Sequence, residues 1–251
     1  MELIQSTKNE RVKKWKKLMM KKGRMEQGTY LVEGFHLVEE ALKQDGLVEE
    51  VIVEEGLSLD FEHTSEIRMH LVSREVSHYL SETKSEQGVF AVVKMTEPEL
   101  LFLVDKKFLL LDAVQDPGNV GTLIRTADAA GFDAVILGTG SADLYNPKVI
   151  RSAQGSHFHI PVISGNLTDW LFRLIDEEVP VYGAFLDETA MPYDQIPKKE
   201  SFGLVVGNEG NGISKPVEEK IRHKVYIPIF GESESLNVSV AAGILMYALR
   251  K

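Results

Sequence analysis

From residue 108 onward, short apolar runs alternate strictly with segments of helical character, and this alternation restricts the fold more than any other feature. The apolar runs are rich in β-branched residues and occupy residues 108–112, 134–138, 160–163, 180–185, 203–207 and 225–229. The helical segments lie near residues 119–130, 146–156, 168–177, 214–221 and 235–250. Apolar strands separated by helices are typical of a parallel sheet covered on both faces. The sequence therefore predicts a large α/β domain over residues 108–251.

A second, smaller α/β domain is predicted over residues 25–95. Its strand-like runs and helical stretches alternate in the same way, with strands at 30–32, 48–53, 67–72 and 89–93 and helices at 35–42 and 74–80. Residues 96–107 contain Pro98 and end in Asp105-Lys106-Lys107, a composition that favours a linker. Within this linker the apolar run at 100–104 predicts a short helix packed between the domains.

The N-terminal residues 1–24 are strongly basic, although the whole chain has a net charge of −10. They contain nine Lys or Arg and two Glu, and four apolar residues recur at helical spacing: Val12, Trp15, Leu18 and Met19. This pattern predicts a basic amphipathic arm whose helix ends between Gly23 and Gly28. A basic arm on an acidic body indicates a polyanion partner, whereas a solvated helix or a helix on a membrane surface are the alternatives.

The composition excludes several other kinds of protein. The chain has no Cys, which excludes disulfides, Cys-ligated metals and a thiol nucleophile and fits a cytoplasmic protein. No apolar run approaches the roughly 20 residues that span a bilayer, and no signal peptide is visible. The seven His residues show no metal-ligand spacing. We therefore expect neither a membrane nor a metal partner.

Three bends rich in Gly, Asn and Ser follow predicted strands, where parallel sheets bind their ligands. The first bend spans residues 112–121, and Asn119 is expected to cap the helix that follows. Thr122 and Arg125 lie on one side of that helix. Free backbone N–H groups, an amide and a guanidinium together suit a phosphate. A capped helix with Arg125 paired to Asp128 explains the same residues equally simply.

The second and third bends carry the same kinds of residue. Residues 207–212 place three Gly and two Asn around Glu209, more glycines than a tight turn needs, which favours close approach of the backbone to a ligand. In the third bend, residues 227–238, either Ser235 or Asn237 is expected to cap a long and almost entirely apolar helix. Such a helix should be buried in the core or against a second subunit.

Taken in order, three segments resemble the three motifs of the SpoU-type (TrmH-like) RNA ribose 2′-O-methyltransferases of the SPOUT superfamily: Asn119 to Arg125, Gly207 to Gly210 and Ser235 to Ala241. Residues 146–152 are also similar to this family. The resemblance covers residues 108–251 and implies a C-terminal trefoil knot, an exception to unknotted topology, and a homodimer. For residues 25–95 it implies a small ribosomal-protein-like substrate-binding domain.

The resemblance also implies a cofactor and a set of roles. S-adenosylmethionine would lie in the knotted loops, held by backbone around Gly207, Ile227 and Leu236. Arg125 matches the family's activator of the hydroxyl. Because a guanidinium stays protonated, we expect Arg125 to orient the hydroxyl and bind the adjacent phosphate while water or another group takes the proton. The other predicted site residues would hold Arg125 or the ribose, orient a donor and complete the polar wall: Asn119, Glu209, Ser235 and Asn237.

The predicted activity is methyl transfer from S-adenosylmethionine to a ribose 2′-hydroxyl of structured RNA, with ribosomal RNA favoured and transfer RNA open. Residues 8–24 are predicted to contact RNA phosphates. A non-catalytic RNA-binding or ribosome-assembly protein on the same fold is one alternative, which the joint presence of the motif residues disfavours. A nucleotide- or NAD-binding enzyme is another, which the missing glycine fingerprint and phosphate loop disfavour.

Overall fold

The computed structural model describes residues 2–58, 67–83, 85–187 and 189–251, so two gaps of the predicted small domain, 59–66 and 84, lie outside the described residues. The chain forms two compact units. The first contains Met1–Thr96 and Tyr145–Phe158, and the second contains Glu97–Leu144 and His159–Lys251. The second boundary differs from the prediction, because residues 145–158 leave the predicted large domain and pack with the first unit.

The first unit is built on a five-stranded mixed sheet. In chain order its elements are β1 (Leu3–Ile4), α1 (Glu10–Lys17), α2 (Lys21–Gln27), β2 (Thr29–Glu33), α3 (Phe35–Leu42), β3 (Val48–Glu54), β4 (Arg68–Val72), α4 (Arg74–Leu80) and β5 (Val89–Lys94). The strand order is β1-β4-β3-β5-β2. β3 pairs with β4 in parallel, whereas β5 is antiparallel to both β2 and β3. The predicted strands and helices of this region are confirmed.

The basic N-terminal residues belong to the first unit. Val12, Trp15 and Leu18 are buried, and they pack in one core cluster with Ile52 of β3 and Phe90 of β5. The predicted apolar stripe is therefore confirmed. The expectation of a separate arm is corrected, because the stripe covers one face of the sheet and is part of its core.

The N-terminal residues form two helices instead of the single basic helix that was predicted to end between Gly23 and Gly28. α1 ends at Lys17, and Gly23 lies inside α2. A Cβ atom on Gly23 would lie 2.1 Å from the carbonyl oxygen of Lys17, so the close approach of the two helices requires glycine here. Gly28 does end α2, in the left-handed conformation with φ of 66°.

The second unit is built on a seven-stranded sheet in which every pair is parallel. Its strand order is β10-β12-β9-β11-β6-β7-β8, and the prediction of a parallel α/β sheet is confirmed. In chain order the remaining strands and α-helices are β6 (Lys107–Asp112), α5 (Pro117–Ala129), β7 (Ala134–Gly138), α6 (Pro147–Ala153), β8 (Val162–Gly165), α7 (Leu167–Asp176), β9 (Val181–Ala184), β10 (Met191–Pro192), β11 (Phe202–Gly207), α8 (Lys215–Glu218), β12 (His223–Tyr226) and α9 (Val238–Leu249). Of these, α6 alone belongs to the first unit.

Side chains of the central strands alternate between two covered faces. Phe108 and Leu110 of β6 pack in one cluster with Leu171 of α7. Leu109 and Leu111 are equally buried and point to the other face, because successive side chains of a strand alternate. α9 contacts both β11 and α5. This arrangement leaves the ends of the strands, rather than the faces of the sheet, available for a site.

The short helix predicted over residues 100–104 is not formed. This stretch has no regular structure. Leu103 alone of the apolar run is fully buried, in the core of the second unit, whereas Leu101 and Phe102 are exposed. The guanidinium of Arg173 donates a hydrogen bond to the Leu100 carbonyl at 2.9 Å. A single helical turn is costly to nucleate, so one anchored side chain and one external donor hold the segment without a helix.

α9 is buried on one side only. Ala242, Leu245 and Met246 are buried, whereas Val240 and Tyr247 are 52% and 53% exposed. The expected burial of this helix therefore holds for the side that faces the core of its own unit. Among the described residues no helix, α9 included, is long and apolar enough to cross a membrane.

Candidate active site

The first and second bends start side by side. β11 pairs with β6 in parallel with Gly207 opposite Asp112, so both strands end at the same edge of the sheet. The backbone N–H of Ser214, just after the second bend, donates to the Asp112 carboxylate at 2.7 Å. Asp112 is buried, and this hydrogen bond satisfies one of its carboxylate oxygens while holding the two bends together.

The Glu209 carboxylate of the second bend is held by the first bend. One oxygen accepts from the backbone N–H of Asp116 at 3.1 Å and from the Asn119 side-chain amide at 3.0 Å. The other oxygen accepts from the backbone N–H of Gln115 at 3.2 Å. The carboxylate thus bonds to donors of the first bend and not to Arg125.

These hydrogen bonds decide the charge state of Glu209. Partial burial is the largest single influence and acts to raise the pKa. Hydrogen bonds from the Asn119 side chain and from the backbone of Glu209, Gln115 and Asp116 oppose it, and together they hold the pKa of Glu209 below its ordinary value of 4.5. Glu209 is therefore ionised at neutral pH and acts as an acceptor.

Asn119 connects all three bends. Its amide nitrogen donates to Glu209, and its side-chain oxygen accepts from the Asn237 amide at 3.0 Å. The Ser239 hydroxyl donates to the Asn119 backbone carbonyl at 3.2 Å. This chain of hydrogen bonds from Glu209 through Asn119 to Asn237 joins the three bends at one place. Ser239 is a member that the sequence analysis missed, although it stands within the third motif.

The helix caps differ from the prediction at α5. Asp116, not Asn119, caps α5, because the Asp116 carboxylate accepts from the backbone N–H of Asn119 at 2.9 Å and Pro117 occupies the first turn. This leaves the Asn119 amide free to join the other bends. At α9 Asn237 is the cap, accepting from the backbone N–H of Ser239 at 2.9 Å. Of the two predicted caps, Ser235 is not the one used.

Gly207 is required by the chain's own backbone. A Cβ atom on Gly207 would lie 2.1 Å from the carbonyl carbon of Gly212 and 2.3 Å from the backbone nitrogen of Ile213. Gly212 has a left-handed φ of 68°. At Gly210, in contrast, an added Cβ would meet only the Asn208 side chain, at 3.6 Å. Tight packing against the chain's own backbone therefore explains Gly207, and a left-handed backbone explains Gly212, which corrects the expectation that a ligand explains the excess of glycine.

Asn208 is a second residue that the sequence analysis did not single out. Its amide nitrogen donates to the Ala113 carbonyl at 2.9 Å, and its side-chain oxygen accepts from the backbone N–H of Gly210 and Asn211. Ala113 has a left-handed φ of 54°, which non-glycine residues rarely adopt. Asn208 thus closes the second bend on itself and joins it to the first. The signal that could have revealed it is an Asn directly after a strand and two residues before a glycine.

Arg125 lies apart from this cluster. It is exposed on α5, and in the described part of the chain it has no hydrogen bond or ion pair. The alternative pairing with Asp128 is not formed, because the Asp128 carboxylate bonds to the His159 ring nitrogen at 2.8 Å. The structure therefore brings together Asn119, Glu209 and Asn237 but leaves the guanidinium of Arg125 exposed to solvent.

A cavity of about 780 Å³ opens beside the three bends. It is lined by the second and third bends, by residues 184–186 and by parts of β12 and α9. Six predicted site residues line it: Gly207, Glu209, Ile227, Ser235, Leu236 and Asn237. Asn119 and Arg125 are not among the described lining residues. No group of three or more His, Cys, Asp or Glu in the described ranges is placed to hold a metal.

The fold and the cluster define a class of protein. The sequence model of the SpoU rRNA Methylase family matches residues 106–247, which include all three bends, and this chain belongs to that family. The model of the MRM3-like substrate binding domain matches residues 9–91, which lie in the first unit. The family match therefore follows the division of the chain into two units, apart from residues 145–158.

Individual relatives are similar over the whole chain. The 23S rRNA (guanosine(2553)-2′-O)-methyltransferase RlmP of Bacillus subtilis is 50% identical over 250 residues, covering 100% of both chains. The solved structure of an AdoMet-bound rRNA methyltransferase from Sinorhizobium meliloti superimposes with a TM-score of 0.86 and 26% identity, covering 99% of this chain and 97% of the other. The SpoU methyltransferase AviRb from Streptomyces viridochromogenes in complex with AdoMet gives 0.83 and 26%, covering 96% and 97%.

Proposed function

We propose that this protein transfers the methyl group of S-adenosylmethionine to a ribose 2′-hydroxyl of ribosomal RNA in the cytoplasm. The observation that carries the proposal is the hydrogen-bonded chain Glu209–Asn119–Asn237, which joins three distant motifs beside one cavity. Family membership and the relatives named for ribosomal RNA methylation support it.

The chemistry of the cavity lining fits S-adenosylmethionine. Three carboxylates line the cavity, Glu209, Glu218 and Glu234, and none of the described lining residues is Lys, Arg or His. S-adenosylmethionine has a sulfonium, an ammonium and one carboxylate, so it carries a net positive charge that this lining favours. A nucleotide or a dinucleotide carries phosphates, which such a lining repels. The lining thus favours the methyl donor over the NAD alternative.

The position of three predicted residues in the cavity lining supports their role in binding the cofactor. Gly207, Ile227 and Leu236 line the cavity and can offer backbone N–H and C=O groups to the donor. When bound, the donor supplies an electrophilic methyl group on its sulfonium. The protein then has to align the ribose oxygen with that methyl group and exclude water, and neither task requires a covalent nucleophile.

Glu209 positions the site rather than removing the proton. Its two oxygens are engaged by Gln115, Asp116 and Asn119, and its pKa lies below the ordinary value. A general base that works near neutral pH needs a higher pKa than this. We therefore assign Glu209 and Asn119 to holding the three bends in register, and Ser235 and Asn237 to the polar wall of the cavity.

Arg125 is the group that contacts the substrate in this proposal. Its guanidinium is permanently charged and can donate both to the attacking hydroxyl and to the neighbouring phosphate. The proton of the hydroxyl passes to water or to another acceptor. Because Arg125 does not line the cavity of its own chain, we place it at the cavity of a partner subunit in a homodimer.

The exposed side of α9 supports the homodimer. Val240, Ile244 and Tyr247 recur at helical spacing on the side that the protomer leaves uncovered. Val240 and Tyr247 have large apolar side chains, and removing them from water at an interface would lower the free energy of the dimer. The trefoil knot belongs to the same proposal, and its support is that the bends after β11 and after β12 line one cavity.

Mixing two inactive variants tests the arrangement of the dimer. If Arg125 acts across subunits, refolding Arg125→Ala with Glu209→Ala in equal amounts should restore about one quarter of the wild-type activity, because half of the dimers then hold one intact site. If Arg125 acts within its own subunit, no mixed dimer holds an intact site. Methylation by the mixture that does not exceed that of the separate variants would contradict the proposal.

The substrate is tested by mapping 2′-O-methyl marks in total RNA from cells with and without the protein. We expect one ribosomal RNA ribose to lose its mark, and restoring the wild-type gene but not Arg125→Ala should restore it. Loss of a mark from transfer RNA alone would overturn the choice of substrate. No change in any RNA would overturn the activity.

A further inference from the structure

The three carboxylates that line the cavity differ in the partners that they already have. Both oxygens of Glu209 accept hydrogen bonds from the first bend. Glu218 of α8 is paired with the ammonium of Lys224, which lies 2.5 Å from its Oε1 and does not line the cavity. Within the described ranges the Glu234 carboxylate of the third bend has neither an ion pair nor a hydrogen bond. Of the three, Glu234 alone is left by the described residues without a partner.

The pairing of Glu218 is held by the surroundings of Lys224. Lys224 belongs to β12, which pairs with β9, and its ammonium lies 4.7 Å from the centroid of the Phe185 ring. The backbone N–H of Phe185 donates to the Val225 carbonyl at 2.9 Å, which fixes the ring beside β12. Because the ring and the strand keep the ammonium at Glu218, this carboxylate adds little net charge to the cavity.

Glu234 shares the third bend with a second glutamate, Glu232. Both residues are exposed, and neither forms an ion pair in the part of the chain that the structure describes. Glu234 lines the cavity, however, and Glu232 does not. Asn237 of the same bend also lines the cavity and bonds to Asn119. The unpaired charge of Glu234 therefore belongs to the same stretch of lining as the hydrogen-bonded chain of the site.

S-adenosylmethionine offers two cationic groups to such a carboxylate. The sulfonium carries the methyl group, and its positive charge is lost as the methyl group leaves. A carboxylate paired with the sulfonium would stabilise the ground state more than the transition state and would slow the transfer. The ammonium of the amino-acid end keeps its charge throughout the reaction and can donate charge-assisted hydrogen bonds. An ion pair with the ammonium therefore binds the donor without opposing its reaction.

We propose that Glu234 binds the ammonium of the amino-acid end of S-adenosylmethionine and so selects ligands that carry this end. The inference rests on the proposed function, because it names one contact of the methyl donor in the same cavity. Glu209 and Glu218 are disfavoured for this contact, since the first is engaged by the first bend and the second by Lys224. A contact with the sulfonium and a role as acceptor of the ribose proton are two other outcomes of the test.

The test measures binding by calorimetry to the full-length wild type, Glu234→Gln and Glu232→Gln, without RNA. Glu232→Gln is the matched control, because it removes an exposed charge from the same bend but outside the cavity lining. Three ligands separate the parts of the donor. S-adenosylmethionine has both cations, S-adenosylhomocysteine keeps the ammonium but has a neutral thioether, and 5′-methylthioadenosine has neither cation. Denaturant unfolding shows whether each variant is folded.

Glu234→Gln should weaken the binding of S-adenosylmethionine and of S-adenosylhomocysteine by the same factor. We expect about 5- to 30-fold, between the contribution of an exposed ion pair and that of a charge-assisted hydrogen bond. The affinity for 5′-methylthioadenosine should stay within about twofold, because this ligand lacks the ammonium. Glu232→Gln should bind all three ligands like the wild type. The loss in Glu234→Gln should shrink as salt is added, since salt screens an exposed pair.

Three results would overturn this inference. A loss with S-adenosylmethionine alone would assign Glu234 to the sulfonium, and an equal loss with all three ligands would assign it to the nucleoside. Unchanged affinities together with slower methyl transfer to a 23S ribosomal RNA transcript would make Glu234 a proton acceptor instead. The proposed function is judged on the wild type. If the wild type binds S-adenosylmethionine and methylates the transcript while Glu234→Gln binds normally, only this contact is refuted, whereas a wild type that binds none of the ligands refutes both.

Discussion

The two sheets of this protein differ in strand direction, and the difference decides what each unit offers to a ligand. All strand pairs of the seven-stranded sheet are parallel, so the bends after β6 and β11 emerge at one edge and bond to each other. The five-stranded sheet is mixed, with β5 antiparallel to both of its neighbours. Its loops are therefore divided between two edges, and its described residues form no comparable cluster of bends.

The comparison assigns the reaction to the parallel unit and RNA binding to the mixed unit. The parallel unit gathers an amide, a carboxylate and glycine-rich backbone around a cavity whose described lining carries no cationic side chain. The mixed unit instead presents the outer surfaces of its helices, where lysines and Tyr79 are exposed. A positively charged methyl donor suits the first setting and an RNA backbone suits the second. Four predictions test this difference between the two units.

The largest effect is expected at Arg125. Its charged side chain lies neither in the cavity lining of its own chain nor on the helices of the mixed unit. Arg125→Ala should lower the rate of methyl transfer by about 100- to 1,000-fold, the usual cost of removing one charged donor from a reacting centre. Affinity for S-adenosylmethionine, measured by calorimetry, should stay within about twofold. Arg222→Ala is the control, because Arg222 is exposed in the same unit and does not line the cavity. Wild-type turnover in Arg125→Ala would remove Arg125 from the mechanism.

Gly207 and Gly210 form a matched pair inside the second bend. Gly207→Ala places a Cβ atom 2.1 Å from the backbone of Gly212 and should cost about 1–3 kcal/mol of unfolding free energy, together with most of the cofactor affinity. Gly210→Ala meets only a side-chain atom at 3.6 Å and should cost less than about 1 kcal/mol. Denaturant unfolding and calorimetry with S-adenosylmethionine measure both. Equal stability of the two variants would contradict the tight packing of the bend.

The exposed lysines of α1 and α2 should control the salt dependence of RNA binding. Replacing Lys14, Lys17 and Lys21 by Gln should flatten the slope of log K against log salt by about 2, because each single-strand phosphate contact contributes about 0.7. A variant with Lys198, Lys215 and Lys220 replaced by Gln serves as the control from the second unit. Deleting residues 1–24 is unsuitable, since it removes Val12, Trp15 and Leu18 from the core. An identical slope in both triple variants would refute a specific role for the lysines of α1 and α2.

The smallest effect concerns the charge of Glu209. Its folded pKa is lowered, so its hydrogen bonds stabilise the protein above the ordinary value of 4.5 and are lost as pH falls through the folded value. Wild type should exceed Glu209→Gln in unfolding free energy by about 1 kcal/mol near pH 7, since the site is partly exposed. The gap should shrink below about pH 4.5. A gap that stays constant down to pH 3 would show that the charge of Glu209 contributes nothing.

Much of the fold was predictable because short sequence patterns of apolar and polar residues indicate its strands and helices. The alternation of apolar runs and helices predicted the six longer strands of the parallel sheet, from β6 to β12. β10 was missed because two residues that include Pro192 carry no periodic signal. The helix predicted over residues 100–104 failed because Leu103 is anchored by the core of the second unit, which no local pattern reveals.

The site was predictable in its membership more than in its roles. The sequence analysis named Asn119, Glu209 and Asn237, but it made Asn119 a helix cap, whereas Asp116 takes that place. It attributed the glycines of the second bend to a ligand, whereas Gly207 makes room for the backbone of Gly212. Roles of this kind depend on which atoms approach each other across the fold.

The sequence by itself determined the parallel sheet, the apolar stripe of α1 and the three polar bends, because periodicity and glycine placement act over a few residues. Only the tertiary structure decided that Glu209 bonds to Asn119, that residues 145–158 pack with the first unit and that Tyr79 stands beside Lys16. These pairs lie far apart along the chain. Their meeting depends on strand order and helix packing, which are properties of the whole fold that no short segment encodes.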